Sequence, residues 1–469
     1  MIGPYVFATH GADRRQLTID MLTRIALTLL VLSALVHPTA GSAQVFDGAA
    51  RDLLRNMQKQ PTDLARYVYL AQAMPGLSTR NRQLAAQYLS FSQCELGIYT
   101  QAVLSFPLVI TPPAGLELPA PQQWRGAPAA ASIAALAADL RIIMINEAHH
   151  DAHTRQLTLE LLPRLRALGF NYFAAEALLP ADADLNKRGY PLESSGTEYL
   201  REPLYGDIVR TALRLGYHVI AYDTASPGQG REREQARNLY RQTLARDPSA
   251  RLFVHAGYAH IDKAPDRLDD MQPMGEILQK LSGQQPLSID QTAFLEVGLD
   301  QGDAYHRLAA AFPAAGPQVL LARSDGKPWS AQPKLYDVSV ILPPVLSMAA
   351  FGVAAEGAAE PRTGNADDSP RPTQVVAAGS FMQRPAWLSL DGQRHPIPIS
   401  TALCQGVAPC VVEARYANEA DDAVAADRYA FLVAPASSTL YLRPGTYSLH
   451  AANMFGRTLS NQALQVPPD

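Results

Sequence analysis

Between positions 141 and 260 the sequence alternates four short apolar runs with longer segments of helical periodicity, and this alternation narrows the choice of fold more than any other feature. Arg141-Ile142-Ile143-Met144-Ile145 is a continuous apolar run of the kind buried on both faces of a sheet. Leu157, Leu161, Leu162, Leu165 and Leu168 follow it at helical spacing, up to Gly169. The unit then repeats. Tyr172-Phe173-Ala174-Ala175 leads into a predicted helix from Tyr199 to Leu215, and His218-Val219-Ile220-Ala221-Tyr222 into one from Glu232 to Leu244. Arg251-Leu252-Phe253-Val254-His255 precedes another around Met274 to Leu281, and Val319–Leu321 and Val338–Leu342 are predicted to complete the sheet. Such alternation implies right-handed crossovers, so the fold class is α/β, a mainly parallel sheet with helices on both faces.

A chain of 469 residues exceeds one ordinary core, and its flanks differ in pattern from the middle. Residues 44–110 read as helical, with apolar side chains such as Leu53, Leu54, Met57, Leu84, Tyr88, Leu89 and Phe91 at three- and four-residue steps. Cys94 to Val103 is similar to one helix junction of a tetratricopeptide-type repeat, but a single copy predicts a helical cap on the next domain rather than an array. Pro and Ala crowd residues 111–123 and mark a boundary, which places the α/β domain at about 120–345. A linker is expected at 346–374, where Ala, Gly, Pro, Asp and Ser dominate. Beyond it, short alternating runs such as Tyr429–Val433, separated by turns such as Arg443-Pro444-Gly445, predict a small β-sandwich over 375–469.

The first segment bears on compartment. From Met21 the chain reads Met-Leu-Thr-Arg, an apolar run from Ile25 to Val36, then small residues ending at Ala43, which is the order of a secretory signal cleaved near Ala43. The run is too short for a stable membrane anchor, so a periplasmic or secreted protein is expected, with Met21 as a possible true start. Cys404 and Cys410 are expected to bridge in such an oxidising compartment, and Cys94 to act as a small buried apolar side chain. A net charge of −4 without a long basic run argues against nucleic acid as a partner.

Ligands of open parallel sheets bind beyond the carboxyl ends of the strands. There the sequence places Asn146-Glu147-Ala148-His149-His150-Asp151-Ala152-His153, then Glu176, Asp223 and His255-Ala256-Gly257-Tyr258-Ala259-His260. Four consecutive strands thus deliver acid or imidazole groups to one edge. Each alone reads more readily as a cap or a satisfied core group; their convergence is what points to a site. His150 and Asp151 read as surface or capping groups, and Arg231 to Glu234 reads equally as a solvated helix start.

Glu147-Ala148-His149 after a strand, His153 with the helix behind it, Glu176, Arg231-Glu232-Arg233-Glu234 opening a later helix, and Gly257-Tyr258-Ala259-His260 together resemble the erythromycin esterase/ChaN-like superfamily, which includes TraB and Tiki proteins. The resemblance covers about residues 136–345, and departs at Asn146, where that superfamily usually has glycine. It implies a hydrolase acting on an ester, lactone or amide of a small molecule or peptide. In a metal-free form His149 is the general base oriented by Glu147, with His260 assisting proton transfer and Arg231 or Arg233 stabilising oxyanion charge. In a metal form His149, Glu176 and His260, with His153 a further candidate, hold manganese, cobalt or zinc. The alternative is a ChaN-like binding protein without catalysis, for a metal or, less favoured, haem, with Tyr258 as the haem contact.

Overall fold

The computed structural model describes residues 48–108, 112, 115–298, 300, 302–345 and 384–468. The expected signal segment and the whole of the expected linker lie outside the described residues. No described helix is long and apolar enough to cross a membrane.

The centre is an eight-stranded sheet built from β1 (Trp124–Pro128), β2 (Ile142–Glu147), β3 (Tyr172–Ala175), β4 (His218–Ala221), β5 (Leu252–Gly257), β7 (Leu287–Asp290), β8 (Gln318–Ala322) and β9 (Val338–Ile341), with a short β6 (Arg267–Asp270) outside it. The spatial order is β1-β8-β9-β7-β2-β5-β3-β4. Every pairing from β9 to β4 is parallel, and β8 runs antiparallel to both its neighbours. β2 and β5 therefore sit centrally, buried at all six positions each. That burial explains why these two strands read as unbroken apolar runs.

Alternate residues of each strand feed opposite layers. Ile143, Ile145, Phe173 and Phe253 pack with helices α5 (Ala129–Leu136), α6 (Gln156–Ala167) and α8 (Pro203–Arg214). Ile142, Met144, Leu252 and Val254 pack on the other face with α9 (Gln229–Gln242) and α10 (Met274–Ser282). The remaining helices of this domain are a single turn, α7 (Leu185–Arg188), and α11 (Ala304–Ala311). Some expected boundaries moved, and the helix expected from Glu232 to Leu244 spans Gln229–Gln242. The helix predicted from Tyr199 begins at Pro203, because Glu198–Arg201 is a tighter 3₁₀ turn, and strands β1 and β7 went unread for want of long apolar runs.

The helical segment comprises α1 (Gly48–Gln58), α2 (Asp63–Ala73), α3 (Thr79–Glu95) and α4 (Tyr99–Ser105). Its Leu53, Met57, Phe91 and Tyr99 share one core with the α/β layer, whereas Leu64, Leu96 and Ile98 pack on Val411, Ala430 and Ala452 of the C-terminal domain. The segment is thus a wedge between the two. In that last domain a four-stranded antiparallel sheet, β12 (Asp427–Phe431), β11 (Cys410–Tyr416), β14 (Gly445–Asn453), β15 (Thr458–Val466), faces the pair β10 (His395–Ser400) and β13 (Ser437–Leu442). Val412, Phe431, Leu440, Leu442 and Leu449 fill the space between as a small sandwich core, and Cys404 is bridged to Cys410.

Candidate active site

The strand ends deliver their side chains as the parallel register dictates: Glu147 of β2 lies level with Gly257 of β5, and Ala175 of β3 with His255. After β2 the chain turns sharply into a 3₁₀ helix, Ala152–Arg155, capped by Asp151, whose carboxylate accepts from the His153 N–H. This turn folds His149 back over Glu147. Nδ1 of His149 donates to Oε1 of Glu147 at 3.0 Å, and Oε2 of the same carboxylate accepts from Nε of Arg155 and lies 3.4 Å from Nε2 of His255. Burial opposes ionisation of Glu147, but Arg155 and the two imidazoles outweigh it and hold the acid well below the usual carboxylate range.

With Nδ1 committed, His149 presents its other nitrogen to a notch over Gly257. A Cβ there would sit 2.8 Å from Nε2 of His149 and 3.2 Å from Oε2 of Glu176, so both groups converge on the space that the missing side chain leaves. The imidazole is fixed by rings: it stacks on Tyr199 with centroids 4.0 Å apart and meets the edges of Tyr258 and Phe91 at 5.0 and 6.0 Å. His149 keeps 8% of its surface exposed and Glu176 7%, so both are nearly withdrawn from solvent.

Glu176 belongs to a second cluster. Its Oε2 accepts from the Gly257 N–H and its Oε1 accepts from Nη2 of Arg231 at 2.7 Å. Arg231 also grips Asp223 through Nε and Nη2, at 2.9 and 2.8 Å. Nδ1 of His260 donates to Glu232, and its Nε2 lies 3.1 Å from Nη1 of Arg231 and 3.4 Å from Oε1 of Glu176. Burial opposes the imidazolium, but Glu232 and Glu176 outweigh it and raise the His260 pKa. Nη1 of Arg231 can only donate, so Nε2 of His260 accepts from it at 3.1 Å while Nδ1–H stays on Glu232. Burial likewise opposes the charge of Glu176, which His260, Arg231 and His149 together keep ionised.

Of the residues singled out in the sequence, Glu147, His149, Glu176, Arg231 and His260 meet here. Arg233 does not: it is exposed on α9, one residue out of phase with buried Arg231 and Glu232, while Glu234 pairs with Arg237 at the surface. His153 turns away and stacks on Trp387 at 4.8 Å. The expectation of a surface position for His150 is corrected, since it is 1% exposed, stacks on Phe106 at 3.6 Å and bonds through Nδ1 to the Tyr258 hydroxyl. Tyr258 adopts a left-handed backbone at φ 43°, and its carbonyl accepts from Nδ2 of Asn146 at 2.8 Å. Asn146 thus does what glycine cannot, bonding also to Asp290 at 2.6 Å and accepting from the Gln291 N–H at 2.7 Å. Arg155, Tyr199 and Glu202 were absent from the sequence-derived set, and His255 was placed at the strand edge without a role. Of these, Arg155 carried a signal: a cation six residues beyond His149, in the turn that leads into the following helix.

The metal reading does not fit these side chains. The guanidinium of Arg231 lies between Glu176 and His260, where an ion shared with His149 would have to sit, and His153 is remote from it. Among the described residues no group of three or more His, Cys, Asp or Glu side chains is arranged to hold a metal ion. Haem fits no better at Tyr258, whose hydroxyl is engaged by His150 and whose ring packs on His149.

No protein-family model matches the chain, and no curated protein matches it. Two solved structures align with parts of it. "The structure of the type III effector HopBA1" aligns at 16% identity over 40% of this chain and 94% of that one, with a TM-score of 0.26. "Crystal structure of bacterial protein toxins" aligns at 11% identity over 61% of this chain and 78% of that one, with a TM-score of 0.27. At such similarity neither carries an argument about function.

Proposed function

We propose that the protein is an exported hydrolase that cleaves an ester or lactone bond, or an amide, by metal-free general-base catalysis at His149. The observation that carries this reading is the pairing of Nδ1 of His149 with Glu147, which leaves Nε2 facing the notch over Gly257. A neutral imidazole protonated at Nδ1 has its lone pair on Nε2, positioned to take a proton from water. That water would attack the carbonyl carbon; its proton passes to Nε2, and the leaving oxygen or nitrogen takes the proton back as its bond to carbon breaks. Glu147 stabilises the imidazolium formed between these steps. Arg231 is engaged by Asp223, Glu176 and His260, so its part is to hold Glu176 at the notch and not to bind the oxyanion.

The likeness of the Glu147/His149 and Gly257/His260 motifs to erythromycin esterase/ChaN-like proteins supports this reading, and the Cys404–Cys410 bridge supports export to an oxidising compartment. The test uses purified chain with 4-nitrophenyl esters, lactones and aminoacyl 4-nitroanilides, beside His149→Ala and His260→Ala. Turnover by the wild type that disappears in folded His149→Ala is the expected result. A folded wild type inert towards all three probe classes overturns the proposal.

A further inference from the structure

The carboxylate that orients His149 is not set by its own domain alone. Arg155 is fully buried and divides its donors between two acids: Nε goes to Glu147, and Nη1 donates to Oε2 of Glu202 at 2.9 Å. Glu202 is also fully buried, caps the first turn of α8 through the Tyr205 N–H at 3.0 Å, and accepts at Oε1 from the hydroxyl of Tyr99 at 2.6 Å. Tyr99 stands on α4, in the helical segment, and its ring lies 5.1 Å beneath the guanidinium of Arg384, which is paired in two-pronged fashion with Asp427 of the sandwich. Four residues thus join α4 to His149 in the order Tyr99, Glu202, Arg155, Glu147. The other groups facing the chain are the Cys94 thiol at 3.9 Å from Nη1 of Arg155, the Tyr205 ring at 5.1 Å and His255 on Glu147.

We infer that Tyr99 is a positioning residue: through Glu202 and Arg155 it sets how much negative charge Glu147 presents to His149, so that the helical segment is part of the site. In a buried, low-dielectric network one cation shared by two carboxylates is a balance, and each acid competes for it according to what else neutralises that acid. The Tyr99 hydroxyl neutralises part of Glu202 and thereby leaves Arg155 more strongly on Glu147. Without the hydroxyl, Glu202 draws Arg155 towards itself, and Glu147 accepts more strongly from Nδ1–H of His149. Without the Glu202 charge, Arg155 turns wholly to Glu147, which then accepts more weakly from His149. The two changes act in opposite senses, which loosened packing cannot mimic.

The relay is read directly from the Nδ1 proton of His149 by one-dimensional proton NMR of the full chain, assigned by its loss in His149→Ala. Tyr99→Phe removes one oxygen and keeps the ring under Arg384; the proton should move downfield. In Glu202→Gln it should move upfield. An unchanged resonance in Tyr99→Phe overturns the inference, as do shifts of both variants in the same direction; if Glu202→Gln fails to fold, the Tyr99→Phe shift decides alone. The role of His149 as base rests on the hydrolase reading, so kcat and KM for an active 4-nitrophenyl ester are measured in parallel, with kcat expected to change in Tyr99→Phe and KM to stay constant. Opposed shifts in a chain that hydrolyses no probe would keep the relay and sink the hydrolase.

Discussion

The Nδ1–H of His149 and Oε1 of Glu147 meet at 3.0 Å although only one residue separates them in sequence, because the chain turns back on itself as soon as β2 ends. The pair behaves as an oriented imidazole only while Glu147 is charged. Glu147→Gln keeps the shape, removes the charge and leaves buried Arg155 with Glu202 as its one acidic partner. We expect kcat to fall by about 10³–10⁴ and stability by about 3 kcal/mol. Ester turnover and urea titrations check the two separately, and a kcat within tenfold of wild type would remove Glu147 from the mechanism.

Gly257 is required for space and not for backbone freedom, since its φ is −78°, which any residue adopts. An alanine Cβ would lie 2.6 Å from Cε1 and 2.8 Å from Nε2 of His149. Gly257→Ala should therefore fold, at a cost of about 1–3 kcal/mol for the crowding, and lose turnover because the notch is filled. A crystal structure with His149 undisplaced and full activity would show that the notch is not where water stands.

The central strands were legible because burial on both faces leaves an unbroken apolar run, and the site's main residues because parallel strands put their last residues on one edge. Glu147, Glu176 and His260 were readable for that reason. The phase of α9 was not: Arg231 and Arg233 are equivalent in a list of charges, and only packing turns the first inward and the second to solvent. Glu202 was hidden as the acid before a helix-initiating proline, Pro203, a place where a capping role suffices to explain it. Tyr99 and Tyr199 lie far in sequence from the motif they touch. No periodicity reports that a tyrosine will stack on a histidine 50 positions away or that another will bond to an acid beyond the domain boundary.

Glu95 offers a pH test. Burial, with Asp63 and Glu198 nearby, outweighs Arg66 and pushes its pKa up to about 8. An acid whose folded pKa exceeds its unfolded value of 4.5 keeps its proton when folded and loses it when unfolded, so it destabilises progressively as pH rises between the two values. Glu95→Gln should match wild type near pH 4.5 and exceed it by about 1.4 kcal/mol more for each pH unit, levelling off above about pH 8. Paired denaturation curves across that range check it; a margin independent of pH would mean that Glu95 is ionised in the fold.

Asp63 is the point where all three parts of the protein meet. Its Oδ1 accepts from Arg66 of α2 and from Arg201, beside Tyr199, at 2.7 Å each, and its Oδ2 accepts from Arg428 of β12 at 3.0 Å. Burial opposes its charge, but Arg428, Arg66 and Arg201 outweigh burial and hold the carboxyl far below the usual range. Asp63→Asn leaves three guanidinium groups crowded around a neutral amide, with Glu413 still available to Arg428 at 3.2 Å. The expected loss is about 3–5 kcal/mol. For an acid with a depressed folded pKa this contribution is complete above the unfolded value of about 3.9 and shrinks as pH falls below it. The gap between wild type and variant in urea midpoint should accordingly be full at pH 7 and narrow below about pH 4. Equal midpoints at pH 7 would show that the three arginines are held by other contacts and that Asp63 does not clamp the helical wedge to its neighbours.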